Sequence, residues 1–151
     1  MKELIKTLCA VDGVSGYEDN VRAIIQKMIA PHVEEMTIDA MGNLIALKRG
    51  KKPSQRRLLI CAHTDEIGAL VFRITERGLI KLVAVGTLDP RVILGQRVRI
   101  GKNNIRGVVA IKAIQLTSEA EKRTSPALDS LYVDIGAKSK YETEQVVRIG
   151  D

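Results

Sequence analysis

Apolar positions at the start of the chain recur with helical spacing: Leu4, Ile5, Leu8 and Cys9 form one stripe over residues 2–10. A turn cluster, Asp12-Gly13-Val14-Ser15-Gly16, follows. Ser15-Gly-Tyr-Glu18 has the spacing of a capping box, in which the Ser15 hydroxyl accepts from the Glu18 backbone and the Glu18 carboxylate reaches back. Val21, Ile24, Ile25, Met28 and Ile29 then continue a helical stripe that Pro31 stops. Residues 33–38 and 43–48 flank Asp39-Ala-Met-Gly42 and predict a hairpin. Leu58-Leu59-Ile60-Cys61-Ala62 is a continuous apolar run too short for a helix, so it reads as a strand buried on both faces.

After Glu66 the pattern changes. Residues 67–117 are rich in Val, Ile and Thr, cut by glycines at 68, 78, 86, 95, 101 and 107, which favours short strands in a small barrel or sandwich. Val98 and Ile100 alternate with Arg97 and Arg99, and Lys102-Asn103-Asn104 predicts a turn into 105–111. Residues 118–129 are polar and read as a loop or short helix. Leu131, Val133 and Ile135 alternate as a further strand, and Ser139-Lys-Tyr-Glu142 is a second capping box opening a helix that ends near Val147. The chain thus divides at Glu66 into a mixed α/β part, 1–66, and a β-rich part, 67–151. Two helices and three strands are too few to cover a two-sided sheet, so residues 1–66 are expected to need more polypeptide or a second copy, by domain swapping for example.

Composition narrows the class. The chain has 151 residues, 45% hydrophobic and 28% charged, a globular balance with no run long enough to span a membrane and no signal-like start. Cys9 and Cys61 stand far apart without CxxC spacing and read as reduced core thiols of a cytoplasmic protein. The net charge is +6, and segment 48–57 holds six cations and no anion, so the whole excess sits in one loop. None of the four aromatic residues, Tyr17, Phe72, Tyr132 and Tyr141, lies there, and a solvated loop is favoured over a nucleic-acid groove.

The chemistry concentrates at His63-Thr-Asp65-Glu66, directly after the apolar run. Side chains two apart in extended backbone share a face, so His63 and Asp65 point the same way. A neutral imidazole is a ligand for zinc or cobalt, and a neighbouring carboxylate can fix its tautomer. The same triplet also fits a histidine hydrogen-bonded at a strand end. The apolar lead-in and the acidic pair favour the metal site. His32, at a helix end, reads as a surface imidazole, and Asp89 and Asp129 as caps or loop residues.

The succession Val14-Ser-Gly-Tyr-Glu18, Asp39-Ala-Met-Gly-Asn43, Leu59-Ile-Cys-Ala-His-Thr-Asp-Glu-Ile-Gly68, Asp89-Pro-Arg91 with Gly95-Gln-Arg-Val98, and Asp134-Ile-Gly-Ala-Lys-Ser139 resembles the glutamyl-aminopeptidase family, which includes the TET aminopeptidases and members labelled endoglucanases. The resemblance implies a dinuclear metallo-aminopeptidase that removes N-terminal residues from peptides. It places 1–66 as the N-terminal portion of an α/β/α catalytic domain, and 67–151 as a PDZ-like β-barrel dimerisation domain incomplete at its C-terminal end. It also implies homo-oligomers acting on peptides, while the composition and charge above lead us to expect a cytoplasmic protein without nucleic-acid or membrane partners. By the same resemblance His63 is a metal ligand and Asp65 the catalytic acidic residue that orients the metal site, while Glu66 carries no assigned role. The complete family site holds two divalent ions, zinc or cobalt. The family's bridging aspartate, its paired glutamates and its further ligands have no match in these residues, so the chain alone is expected to be inactive. The alternative is a non-catalytic oligomerisation or interaction module built on the β-rich part.

Overall fold

The computed structural model describes residues 1–51 and 57–151, which fall into two compact units, Met1–Glu66 and Ile67–Asp151. The basic loop read at 48–57 therefore lies partly outside the described residues. Of its described part, Arg49 pairs with Glu35 at 2.5 Å and its backbone N–H donates to Glu34 Oε2 at 2.8 Å.

In the first unit, helix α1 (Lys2–Cys9) and helix α2 (Asp19–Ile29) follow the two apolar stripes. Pro31 ends the second, leaving a 3-10 turn, Ala30–His32. Strands β1 (Glu35–Ile38) and β2 (Leu44–Leu47) form the antiparallel hairpin, with Met36 opposite Ala46. Asp39 organises its turn, accepting from the backbone N–H of Met41 and of Asn43, both at 2.9 Å. Gly42 has φ +84°, and its carbonyl accepts from Arg22 Nη1 at 3.0 Å, which ties the hairpin to α2.

Two expectations fail here. Residues 57–65 form no strand: Leu58, Leu59 and Ile60 are 87%, 84% and 83% exposed. An apolar run becomes an interior strand only when neighbours offer both ladder hydrogen bonds and cover, and the hairpin spends its pairing on itself. Nor are the thiols in a core. Cys9 and Cys61 are free, as expected, but exposed, because α1 buries no residue and the 57–63 segment lies open.

The second unit is a five-stranded antiparallel sheet built from β3 (Gly68–Ile74), β4 (Ile80–Val85), β5 (Arg97–Ile100), β6 (Ile105–Ala110) and β7 (Tyr132–Asp134). Their spatial order is β3-β4-β7-β6-β5. Alternation, reset on β3 by a register shift between Val71 and Arg73, sends Val71, Ile74, Ile80, Ile100, Val109 and Val133 to one side, where they pack with Leu131 and Val147 as the core. Gly107 is needed where β6 pairs with β7, since a Cβ there would run into Val133 Cγ1. Three short helices decorate the sheet: α3 (Pro90–Ile93), α4 (Glu119–Lys122), which has a complete Ser118/Glu121 capping box, and α5 (Lys140–Glu144). At α5 only half of the expected box forms. The Ser139 hydroxyl accepts from the Glu142 N–H at 3.3 Å, but the Glu142 carboxylate turns to the Lys138 N–H at 2.8 Å. The helix also stops at Glu144, short of Val147.

Asp89 caps α3 by accepting from the Arg91 N–H at 2.9 Å, and it pairs with the Arg91 guanidinium at 2.6 Å. The Arg91 side chain, then its N–H, hold the Asp89 carboxyl down to about 2. A depressed folded-state value means that the cap's contribution is complete above the ordinary carboxylate range and is lost as pH falls through about 2. Following the Asp89 carboxyl carbon by NMR during acid titration is expected to show this low midpoint, and Arg91→Ala should return it toward the usual range.

Candidate active site

The site is built within the first unit, where the turn after α1 meets the segment leading out of the apolar run. Glu66 joins the two: its N–H donates to Gly13 O at 2.8 Å, its Oε1 accepts from the Gly13 N–H at 3.4 Å, and it forms a parallel bridge with Val14. Gly13 permits the approach. A Cβ there would stand 2.7 Å from Val21 Cγ2, and Val21 is the side chain that α2 buries.

That junction places Ser15 on Asp65. The Ser15 hydroxyl donates to Asp65 Oδ2 at 2.5 Å, so the capping box expected of Ser15 and Glu18 does not form. Glu18 instead precedes α2 as its cap residue without a side-chain cap bond, and its Oε1 accepts from the Gly16 N–H at 2.7 Å. The other Asp65 oxygen, Oδ1, lies 3.0 Å from His63 Nδ1, and the Asp65 backbone carbonyl lies at the same distance from that nitrogen. The hydrogen bonds from Ser15 and then His63 hold the Asp65 carboxyl below its usual range.

Two acceptors face Nδ1, so the neutral ring carries its hydrogen there and presents a lone pair at Nε2. The His63 side chain is 86% exposed. A ring with Nδ1 bonded to a carboxylate and Nε2 open is the arrangement in which an imidazole ligates a metal. The imidazole therefore fits a metal as one donor, but the set does not. Among the described residues no group of three His, Cys, Asp or Glu side chains could hold an ion, and a catalytic zinc site takes three protein ligands.

His63 and Asp65 are thus brought together as the H-x-D spacing implies. His32 is exposed at the end of its 3-10 turn, Asp89 is a helix cap, and Asp129 is exposed in the 3-10 turn Leu128–Ser130. Sequence reasoning missed the contact of Ser15 with Asp65. Local spacing assigned Ser15 to its nearest helix and could not register a partner 50 positions on. No helix among the described residues is long and apolar enough to cross a membrane.

The lysyl aminopeptidase of Pyrococcus furiosus is 33% identical over 153 residues, an alignment covering 98% of this chain and 43% of that protein. The crystal structure of a TET aminopeptidase from the marine sediment archaeon Thaumarchaeota archaeon SCGC AB-539-E09 matches with TM-score 0.91 at 33% identity, over 99% of this chain and 43% of that one. A Thermotoga maritima structure described as an endoglucanase matches with TM-score 0.81 at 36% identity, over 97% of this chain and 42% of that one. The chain spans well under half the length of these relatives. Residues 42–151 match the family described as M42 glutamyl aminopeptidase, and the chain belongs to that family.

Proposed function

We propose that this chain is part of a metal-dependent aminopeptidase, in which His63 is a metal ligand through Nε2 and Asp65 orients it. The observation that carries the reading is the pairing of His63 Nδ1 with Asp65 Oδ1 at 3.0 Å, which leaves Nε2 as the open donor. Hydrolysis by a two-metal site needs a bridging carboxylate holding the ions roughly 3.5–4 Å apart and a base to activate the shared water. The described residues bring neither a bridging group nor a ligand set around His63. The catalytic step therefore needs groups that these residues do not supply, and this chain alone is inactive.

We assign Met1–Glu66 to the catalytic portion and the five-stranded unit to the family's PDZ-like β-barrel, with a role in self-association. Related structures are described as a dodecamer and as a tetrahedron or octahedral shell. The edge strand β3 is partly covered by the C-terminal residues, since Gly150 N–H donates to Val71 O and Val71 N–H to Asp151 O, both at 2.9 Å. β5 is the other edge.

One sample of the 151-residue chain tests these readings. Calorimetric titration with Zn²⁺ or Co²⁺ is expected to show only weak binding that His63→Ala removes, with no peptide hydrolysis, and sedimentation is expected to show association. Tight binding at two sites per chain together with hydrolysis would overturn the inactivity, and a concentration-independent monomer would overturn the oligomeric role.

A further inference from the structure

We propose that Ser15 is a positioning residue for His63, acting through Asp65. The Ser15 hydroxyl has one hydrogen to give, and it gives it to Asp65 Oδ2 at 2.5 Å. A carboxylate rotates almost freely about its last torsion, and holding one oxygen fixes the other. With Oδ2 held by Ser15, Oδ1 remains on His63 Nδ1 at 3.0 Å. The chain of bonds runs from hydroxyl to carboxylate to imidazole, and its end is the choice of which ring nitrogen carries the hydrogen.

The backbone makes Ser15 dependable in this role. Ser15 stands two residues after Gly13 and one after Val14, the residues that hold Glu66 through the 2.8 Å backbone bond and the parallel bridge. Asp65 is the neighbour of Glu66. Donor and acceptor are therefore each within two positions of the same clamp. Their separation is set by main chain rather than by a long side chain. Ser15 and Asp65 are both half-buried, whereas the His63 ring is open to solvent. Water competes for the exposed ring, so the half-buried hydroxyl adds a constraint to that of the Asp65 carbonyl beside Nδ1.

The relevance of Nε2 to a metal rests on the proposed aminopeptidase function, but the tautomer of His63 does not, and it can be read without metal. Long-range ¹H–¹⁵N correlation on the 151-residue chain, at a pH where imidazole is neutral, distinguishes the Nδ1–H from the Nε2–H form. His32, the only other histidine, is the internal control. In the parent chain His63 is expected in the Nδ1–H form. Ser15→Ala should move it part of the way toward the Nε2–H form, because the Asp65 carbonyl at 3.0 Å still faces Nδ1. Ser15→Thr, which keeps the hydroxyl, should restore the parent spectrum, and His32 should not move in either variant. An unchanged His63 in Ser15→Ala would overturn the proposal, as would a Ser15→Thr spectrum matching that of Ser15→Ala. Loss of the dispersed spectrum in Ser15→Ala would also overturn it, by showing that Ser15 supports the fold rather than the ring. A tautomer shift in a chain whose longer form hydrolyses no peptide would leave this proposal standing and end the aminopeptidase reading.

Discussion

Ile80→Ala is expected to destabilise the Ile67–Asp151 unit by about 2–5 kcal/mol, read as a fall in the urea midpoint at unchanged slope. Ile80 is 0% exposed and opens β4, opposite Ile74 on β3 and Val133 on β7. All three belong to the apolar cluster, with Val71, Ile100, Val109, Leu131 and Val147. Truncation removes three carbons from the middle of that cluster. The flanking strands are held by their own ladders, so they cannot close onto the space, and the penalty includes the cavity as well as the lost transfer energy. The Leu59→Ala variant of the same chain is the control: its side chain is 84% exposed, and a shift within about 0.5 kcal/mol is expected. Equal shifts for the two variants would contradict the placement of the core.

The contrast between Ile80 and Leu59 shows what the sequence could and could not disclose. Both stand in apolar runs of β-forming residues. Around Ile80 the alternation continues through β3, β6 and β7, so each strand finds a complementary face within the same 85 residues. Residues 58–62 have no such complement among the described residues, and hydrophobicity alone records what a segment would bury, not whether cover exists. The same limit applies to Cys9 and Cys61, which stand among apolar residues in sequence yet are exposed. Signals that act within a few residues were legible. Pro31 ends α2, and Asp39 to Asn43 turns the hairpin. The candidate site divides along the same line: the H-x-D spacing carries His63 and Asp65, which are neighbours, but not Ser15, which reaches Asp65 only through the fold. A local partner and a distant one competed for Ser15, a helix cap at close range and an acceptor 50 positions on, and the distant carboxylate won.

On the proposed reading of His63 as a ligand, Asp65→Ala in a chain carrying the full length of its M42 relatives is expected to weaken metal affinity by roughly 10–100-fold, the usual result of removing the partner of a ligating histidine. His63→Ala is expected to exceed that loss and to abolish measurable peptide hydrolysis. The order follows from the geometry. Asp65 touches the ring at Nδ1, so its removal frees the tautomer and the ring orientation but leaves Nε2 in place as the proposed donor. Removing the imidazole takes away the donor itself. Neither change should unfold the protein, because the His63 side chain is 86% exposed and packs into no core. Metal content after dialysis against graded chelator reads the affinity, and circular dichroism checks the fold. Added metal separates the two variants further. Saturating Zn²⁺ or Co²⁺ should recover much of the Asp65→Ala activity, since the ligand survives and mass action can offset a weaker site. It should recover none in His63→Ala. Equal metal affinity in parent and His63→Ala would remove His63 from the ligand set, and with it the chemical basis for reading Nε2 as the working atom.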